Sequence, residues 1–154
     1  MRAGLIAFIV GGFLIGALSG AAILLLTSPH GGQPVQSSGT PFVGGPFSLV
    51  GADGKTVTDA DFHGRYMLVF FGFTHCPDIC PAELQVIAQA LDKLGDKGKK
   101  VVPVFITLDP ERDTPQAMAD YLKSFGPNFV GLTGTPEAIA AAAKSYRVAY
   151  TKVD

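Results

Sequence analysis

Apolar residues fall into distinct kinds of run along this chain, and each kind implies a different element. Residues 5–26 form an unbroken stretch of apolar and small side chains, LIAFIVGGFLIGALSGAAILLL. As a helix it would span roughly 33 Å, enough for a hydrocarbon core of about 30 Å. Two short runs, 47–50 and 55–57, flank Asp53-Gly54 and predict a hairpin. Residues 67–73 are continuously apolar over strand length, the pattern of a central strand buried on both faces. Residues 101–108 predict a second buried strand and 129–132 a shorter one, while 58–62 reads as a turn or short helical piece.

Helical spacing takes over between these strands. Leu84, Ile87, Ala88, Leu91 and Leu94 share one face up to Gly95, with Cys80 expected at the N-cap and Pro81 at the first helical position. Thr114-Pro115 begins a helix whose apolar side is Met118, Tyr121, Leu122 and Phe125, closed by Gly126. Thr135-Pro136 repeats that start for a helix running to about Tyr146, and 148–153 reads as a further extended piece. The order β-β-β-α-β-α-β-α-β predicts an α/β sheet with helices on both faces.

Charge divides the chain. After Arg2 no acidic or basic side chain occurs until Asp53. Arg2 and the amino terminus flank the apolar run on one side only, so the positive-inside rule keeps the N-terminus cytoplasmic and sends the remainder across. A cleaved signal peptide is the competing reading, but its apolar region is usually only about 7–15 residues long. Gly11, Gly12, Gly16 and Gly20 include small-residue spacings that pack helices together, although glycine is common in membrane helices generally. The division is an anchor at 1–26, a Gly/Pro/Ser/Thr-rich linker at 27–45 and a folded domain at 46–154. The net charge of −1 and pI near 6.3 give no footprint for nucleic acid or an acidic polymer.

The chain's two cysteines, Cys76 and Cys80, lie three residues apart between the 67–73 strand and the following helix. Thiols so placed either exchange with a disulfide or hold a soft metal, Cu(I) first and Zn(II) second. A purely structural disulfide is disfavoured, because so short a loop removes little unfolded-chain entropy. The helix N-terminus favours the thiolate, expected at Cys80. Two thiolates rarely complete a metal site. His30 stands alone in the linker and His63 reads as an exposed loop residue. His75 adjoins Cys76, but strand alternation turns it away. Asp78, inside the cysteine loop, reads as a turn residue with a possible supporting role. The acidic loop Asp109, Glu111, Arg112, Asp113 follows a strand and precedes a capped helix. It reads as a loop satisfying helix N-terminal donors, with Arg112 pairing a carboxylate, and as a partner-recognition rim at the cysteine end of the sheet.

Phe71-Gly-Phe-Thr-His-Cys-Pro-Asp-Ile-Cys-Pro81, followed by Val104-Phe-Ile-Thr-Leu-Asp-Pro-Glu-Arg-Asp-Thr-Pro115 and Gly131-Leu-Thr-Gly-Thr-Pro136, resembles the Sco/SenC family over essentially everything from residue 46 onward. The resemblance implies a thioredoxin-like, membrane-anchored copper protein that assists assembly of cytochrome c oxidase. On that reading Cys76 and Cys80 are the thiolate copper ligands and also a redox-active disulfide pair. The implied partner is the copper-bearing oxidase subunit or another copper chaperone. The resemblance also implies a histidine ligand well downstream, and no histidine follows His75. The expectation is therefore of a chain continuing past Asp154 through further strands and a final helix, whose lack leaves an unpaired sheet edge. A thiol–disulfide oxidoreductase acting on the oxidase's cysteines is the alternative function. A thiol peroxidase of the same fold is a third, disfavoured because Phe73 and Pro77 stand where peroxiredoxins carry a threonine.

Overall fold

The structure, a computed structural model, describes residues 43–151. The expected anchor, His30 and most of the linker lie outside the described residues. Among the described residues no helix is long and apolar enough to cross a membrane.

Strands β1 (Ser48–Gly51) and β2 (Thr56–Thr58) pair antiparallel, with Leu49 opposite Val57. The expected Asp53-Gly54 turn joins them. Gly54 takes φ +77°, a left-handed value that a side chain disfavours, and Asp53 accepts the Lys55 N–H at 3.0 Å. A 3₁₀ turn (Asp59–Phe62) follows and buries Phe62. Then come β3 (Tyr66–Gly72), α1 (Ile79–Leu94), a second 3₁₀ segment (Gly95–Lys100), β4 (Val101–Thr107), α2 (Pro115–Leu122), β5 (Val130–Thr133) and α3 (Pro136–Ser145). The sheet order is β2-β1-β5-β4-β3, with β3, β4 and β5 parallel and β1 antiparallel to β5.

Alternation along β4 builds both layers of core. Val102, Val104 and Ile106 join Leu49, Phe62, Leu132 and Ile139 on the face covered by α3. Phe105 joins Leu84, Met118 and Leu122 on the face covered by α1 and α2. Helices on both faces of an α/β sheet are thus as expected. The threonine caps hold too: Ala117 N–H donates to Thr114 Oγ1 and Ala138 N–H to Thr135 Oγ1, both at 3.2 Å, each with proline next in line.

Three expectations are corrected. First, among the described residues β3 pairs only with β4 and its faces are only partly buried, Tyr66 and Leu68 being 72% and 40% exposed. β4, flanked there by β3 and β5, is the most deeply buried strand. Second, α1 starts at Ile79 with Asp78 as N-cap, so Cys80 and Pro81 lie inside its first turn. Proline is tolerated there because the N–H it lacks would have no intrahelical partner anyway. Third, residues 148–151 form no strand. The chain turns out of α3 through Arg147 at φ 57°, and Val148 N–H donates to Ala143 O at 2.8 Å.

Candidate functional site

Parallel strands deliver their following loops to the same end of the sheet, and β3 and β4 do so side by side. Gly72 is in register with Thr107, and Leu108 N–H donates to Gly72 O at 2.7 Å. The cysteine loop leaves from β3 and the Asp109–Asp113 loop from β4. Gly72 is fixed by close approach: a Cβ there would lie 2.9 Å from the Phe105 ring, 3.0 Å from the Phe70 ring and 3.1 Å from Cys80 Sγ. The missing side chain is the space into which the first turn of α1 lowers the sulfur.

Both cysteines are free thiols, Cys80 buried and Cys76 partly exposed. Cys76 N–H donates to Phe73 O at 3.2 Å, closing the loop that places its sulfur beneath the start of α1. Cys76 Sγ then accepts the backbone N–H of Cys80 at 3.3 Å. The Asp78 side chain makes no capping bond, so the sulfur supplies the acceptor that a capping oxygen usually provides. Hydrogen bonding by the Cys80 thiol and by backbone N–H groups of the helix start lowers the Cys76 thiol below its usual range. Burial, and then donation to Cys76, push the Cys80 thiol up to about 11. The thiolate that the helix start favours is therefore that of Cys76, not of Cys80. Burial overrides the helix dipole at the deeper position.

Asp113 ties the two loops together. Its carboxylate is fully buried and accepts the Thr74 N–H at 3.0 Å, the Thr74 hydroxyl at 2.5 Å and the Thr107 hydroxyl at 2.6 Å. The two Thr74 bonds span 39 residues of chain, and with the Thr107 bond they fix the backbone two residues before Cys76 against the end of β4. Asp113 is thus a buried tie and not part of an exposed rim. The Arg112 guanidinium pairs with the Asp109 carboxylate, as expected of the loop, and Glu111 is exposed. His75 is half-exposed. Its Nδ1 lies 3.1 Å from Thr74 Oγ1 and 3.7 Å from Asp113 Oδ1, so one ring nitrogen is engaged away from the sulfurs. Asp78 is exposed at the N-cap, and His63 is exposed before β3, at the opposite end of that strand from the cysteines. Among the described residues no group of three or more His, Cys, Asp or Glu side chains is placed to hold a metal. The thiol pair offers two soft donors at one helix start, which suits a soft ion.

Sequence reading missed Gly72, Thr74, Thr107 and the part played by Asp113. A usable signal existed, because adjacent parallel strands must place 73–78 beside 108–114, and a carboxylate between two threonines has donors to meet.

Residues 35–154 match the SCO1/SenC family model. The mitochondrial SCO1 homolog 1 of Arabidopsis thaliana is 53% identical over 119 residues, which cover 77% of this chain but 36% of that protein. The crystal structure of Arabidopsis thaliana ScoI with copper bound is 54% identical with a TM-score of 0.69, covering 73% of this chain and 70% of that one. BsSco, described as having a disulfide switch and as a member of the Sco family of cytochrome c oxidase assembly proteins, is 25% identical with a TM-score of 0.62, covering 73% and 69%. The described domain accordingly has the thioredoxin-like α/β fold of the Sco structures. Its thiol loop, its buried carboxylate tie and its parallel β3–β4 core all fall within the stretch those comparisons cover, and the chain belongs to the SCO1/SenC family.

Proposed function

We propose that this chain binds copper as Cu(I) through Cys76 and Cys80 and passes it, as cargo, to the copper-bearing subunit of cytochrome c oxidase or to another copper chaperone. The observation that carries the reading is the thiol pair: two free thiols at the start of α1, the Cys76 sulfur accepting the Cys80 backbone N–H. Soft thiolates select Cu(I), and a ligand pair open to one side suits an ion that must be released. The anchor read at residues 5–26 would hold such a domain at the membrane, with the thiols on the non-cytoplasmic side. Anaerobic Cu(I) titration of the full chain in detergent against a chromogenic chelator tests this. One copper per chain is expected, lost in Cys76→Ser and in Cys80→Ser. Undiminished binding in either variant would sink the reading.

A second reading rests on the unequal thiols. A more exposed, more acidic Cys76 beside a buried Cys80 is the arrangement of an attacking and a resolving thiol. In that reaction the protein dithiol reduces a partner's disulfide, losing two electrons and two protons as its own disulfide closes. A reduction potential measured with and without copper separates the two readings. A very low potential with no exchange onto a partner disulfide would count against the reductase.

A further inference from the structure

Charge is distributed unevenly between the two ends of the β3–β4 pair. Both strands run in parallel from Tyr66 and Val101, which are in register, to Gly72 and Thr107 at the thiol end. α1 begins at the thiol end and returns, so its last turn, the Gly95–Lys100 segment and Arg65 gather where the strands begin. Lys93, Lys97, Lys99, Lys100 and Arg65 are all exposed there, whereas the loops of the thiol end carry Asp78, Asp109, Glu111 and Asp113. Asp92 and Asp96 are the acids among these bases. Lys99 Nζ meets Asp96 at 2.8 Å, while among the described residues Lys93, Lys97 and Lys100 enter no ion pair. Gly98 is buried, and a Cβ there would lie 2.5 Å from Leu91 O, so the segment is pressed against the end of α1 with its lysines outside. Two apolar side chains share this end: Tyr66, next to Arg65, and Leu94, next to Lys93 and 49% exposed.

We propose that this basic end rests on the anionic phospholipid headgroups of a membrane, leaving the thiols at the end turned away from the lipid. The contact rests on the anchor read at residues 5–26 and is independent of the copper chemistry. Lysine and arginine lay their stems along an interface while their charged heads meet phosphates, and an exposed tyrosine and leucine enter the layer between headgroup and acyl chain. A folded acidic partner would call for arginine forks in fixed geometry, whereas flexible lysines suit a fluid charged surface. No lysine or arginine lies between Arg2 and Lys55, so the linker brings no such charge to the lipid and the domain must supply it. Tethering raises the local concentration of the surface, which lets a contact of few charges persist.

The full chain, reconstituted in nanodiscs of phosphatidylcholine with or without phosphatidylglycerol, is acetylated at lysine and read by mass spectrometry. Phosphatidylglycerol should slow acetylation of Lys97, Lys99 and Lys100 roughly fivefold at low salt, and high salt should remove much of that protection. Carbodiimide labelling of Glu83 and Glu111, towards the thiol end, should be the same in both discs. The double variant Lys97→Glu, Lys100→Glu changes exposed side chains only, so its melting temperature should hold while the protection of Lys99 is lost. Tyr66→Ser should retain the salt-sensitive protection and lose part of what remains in high salt. Inorganic phosphate should not protect. If it protects as well as the lipid does, the lysines bind single anions and the membrane contact is wrong. A chain that does not stay with the discs would remove the anchor reading, and sedimentation with vesicles then decides: the proposal requires binding to phosphatidylglycerol vesicles over phosphatidylcholine ones, lost in the double variant. Equal acetylation in the two discs, or protection that survives the charge reversal, would overturn it.

Discussion

Cys80 is 7% exposed and wedged over Gly72, while Cys76 reaches the surface with its sulfur facing the N–H groups that open α1. The thiolate is the nucleophile, and its fraction rises with pH through the thiol's own pKa. Cys76, lowered from 9.0, reaches its full reactivity at a lower pH. Cys80, raised to about 11, continues to gain reactivity well above that. In reduced, metal-free protein near neutral pH, iodoacetamide is expected to modify Cys76 roughly tenfold faster than Cys80, burial and acidity acting in the same direction. Mass spectrometry of the digested peptides checks this; equal labelling would refute the asymmetry. The sequence made the pair and its neighbourhood legible but not this ranking. A helix N-terminus can be anticipated from Pro81, whereas the depth of each sulfur depends on Gly72 and Phe105, residues brought there from two different strands.

At the scale of elements, the site is a joint between two strand–loop–helix units. β3 and α1 carry the thiols; the unit of β4 and α2 carries Asp113. The threonine-proline caps of α2 and α3 were readable because they are local in sequence. The Asp113 tie was not, because its partners are 39 and 6 residues away and it looked like any acidic loop residue. Asp113→Asn should destabilise the domain by roughly 1–3 kcal/mol, since an amide replaces one of the carboxylate's acceptor oxygens with a donor and leaves a buried hydroxyl or N–H unpaired. Urea denaturation measures that cost. Hydrogen exchange locates it: the Thr74 amide should exchange faster than in wild type, while the Ala138 amide, capped by Thr135 on the other face, should not change. Equal effects at both sites would mean that the tie supports the fold in general and not the cysteine loop.

Across the whole domain, the sheet separates two cores that differ in their relation to the thiols. The alternation of apolar residues made both layers foreseeable, and among the described residues the strand that carries the site, β3, has one flanking strand, β4. The support described for the site comes from β4 and from the α1/α2 layer. Phe105 and Leu132 are both fully buried, one on each face, which allows a direct comparison. Phe105→Ala should cost about 3–5 kcal/mol and Leu132→Ala about 2–5 kcal/mol, similar losses from cavities of similar kind. Their effects on the thiols should diverge. Removing the Phe105 ring takes away a wall beside Gly72 and the surface on which Tyr121 packs, so Cys80 becomes more accessible and the preference of iodoacetamide for Cys76 shrinks. Removing Leu132 weakens the opposite layer and leaves that preference intact at any temperature where the protein stays folded. If both variants lose selectivity to the same extent, the thiol pair is sensing global stability, and the division of labour between the two faces is wrong.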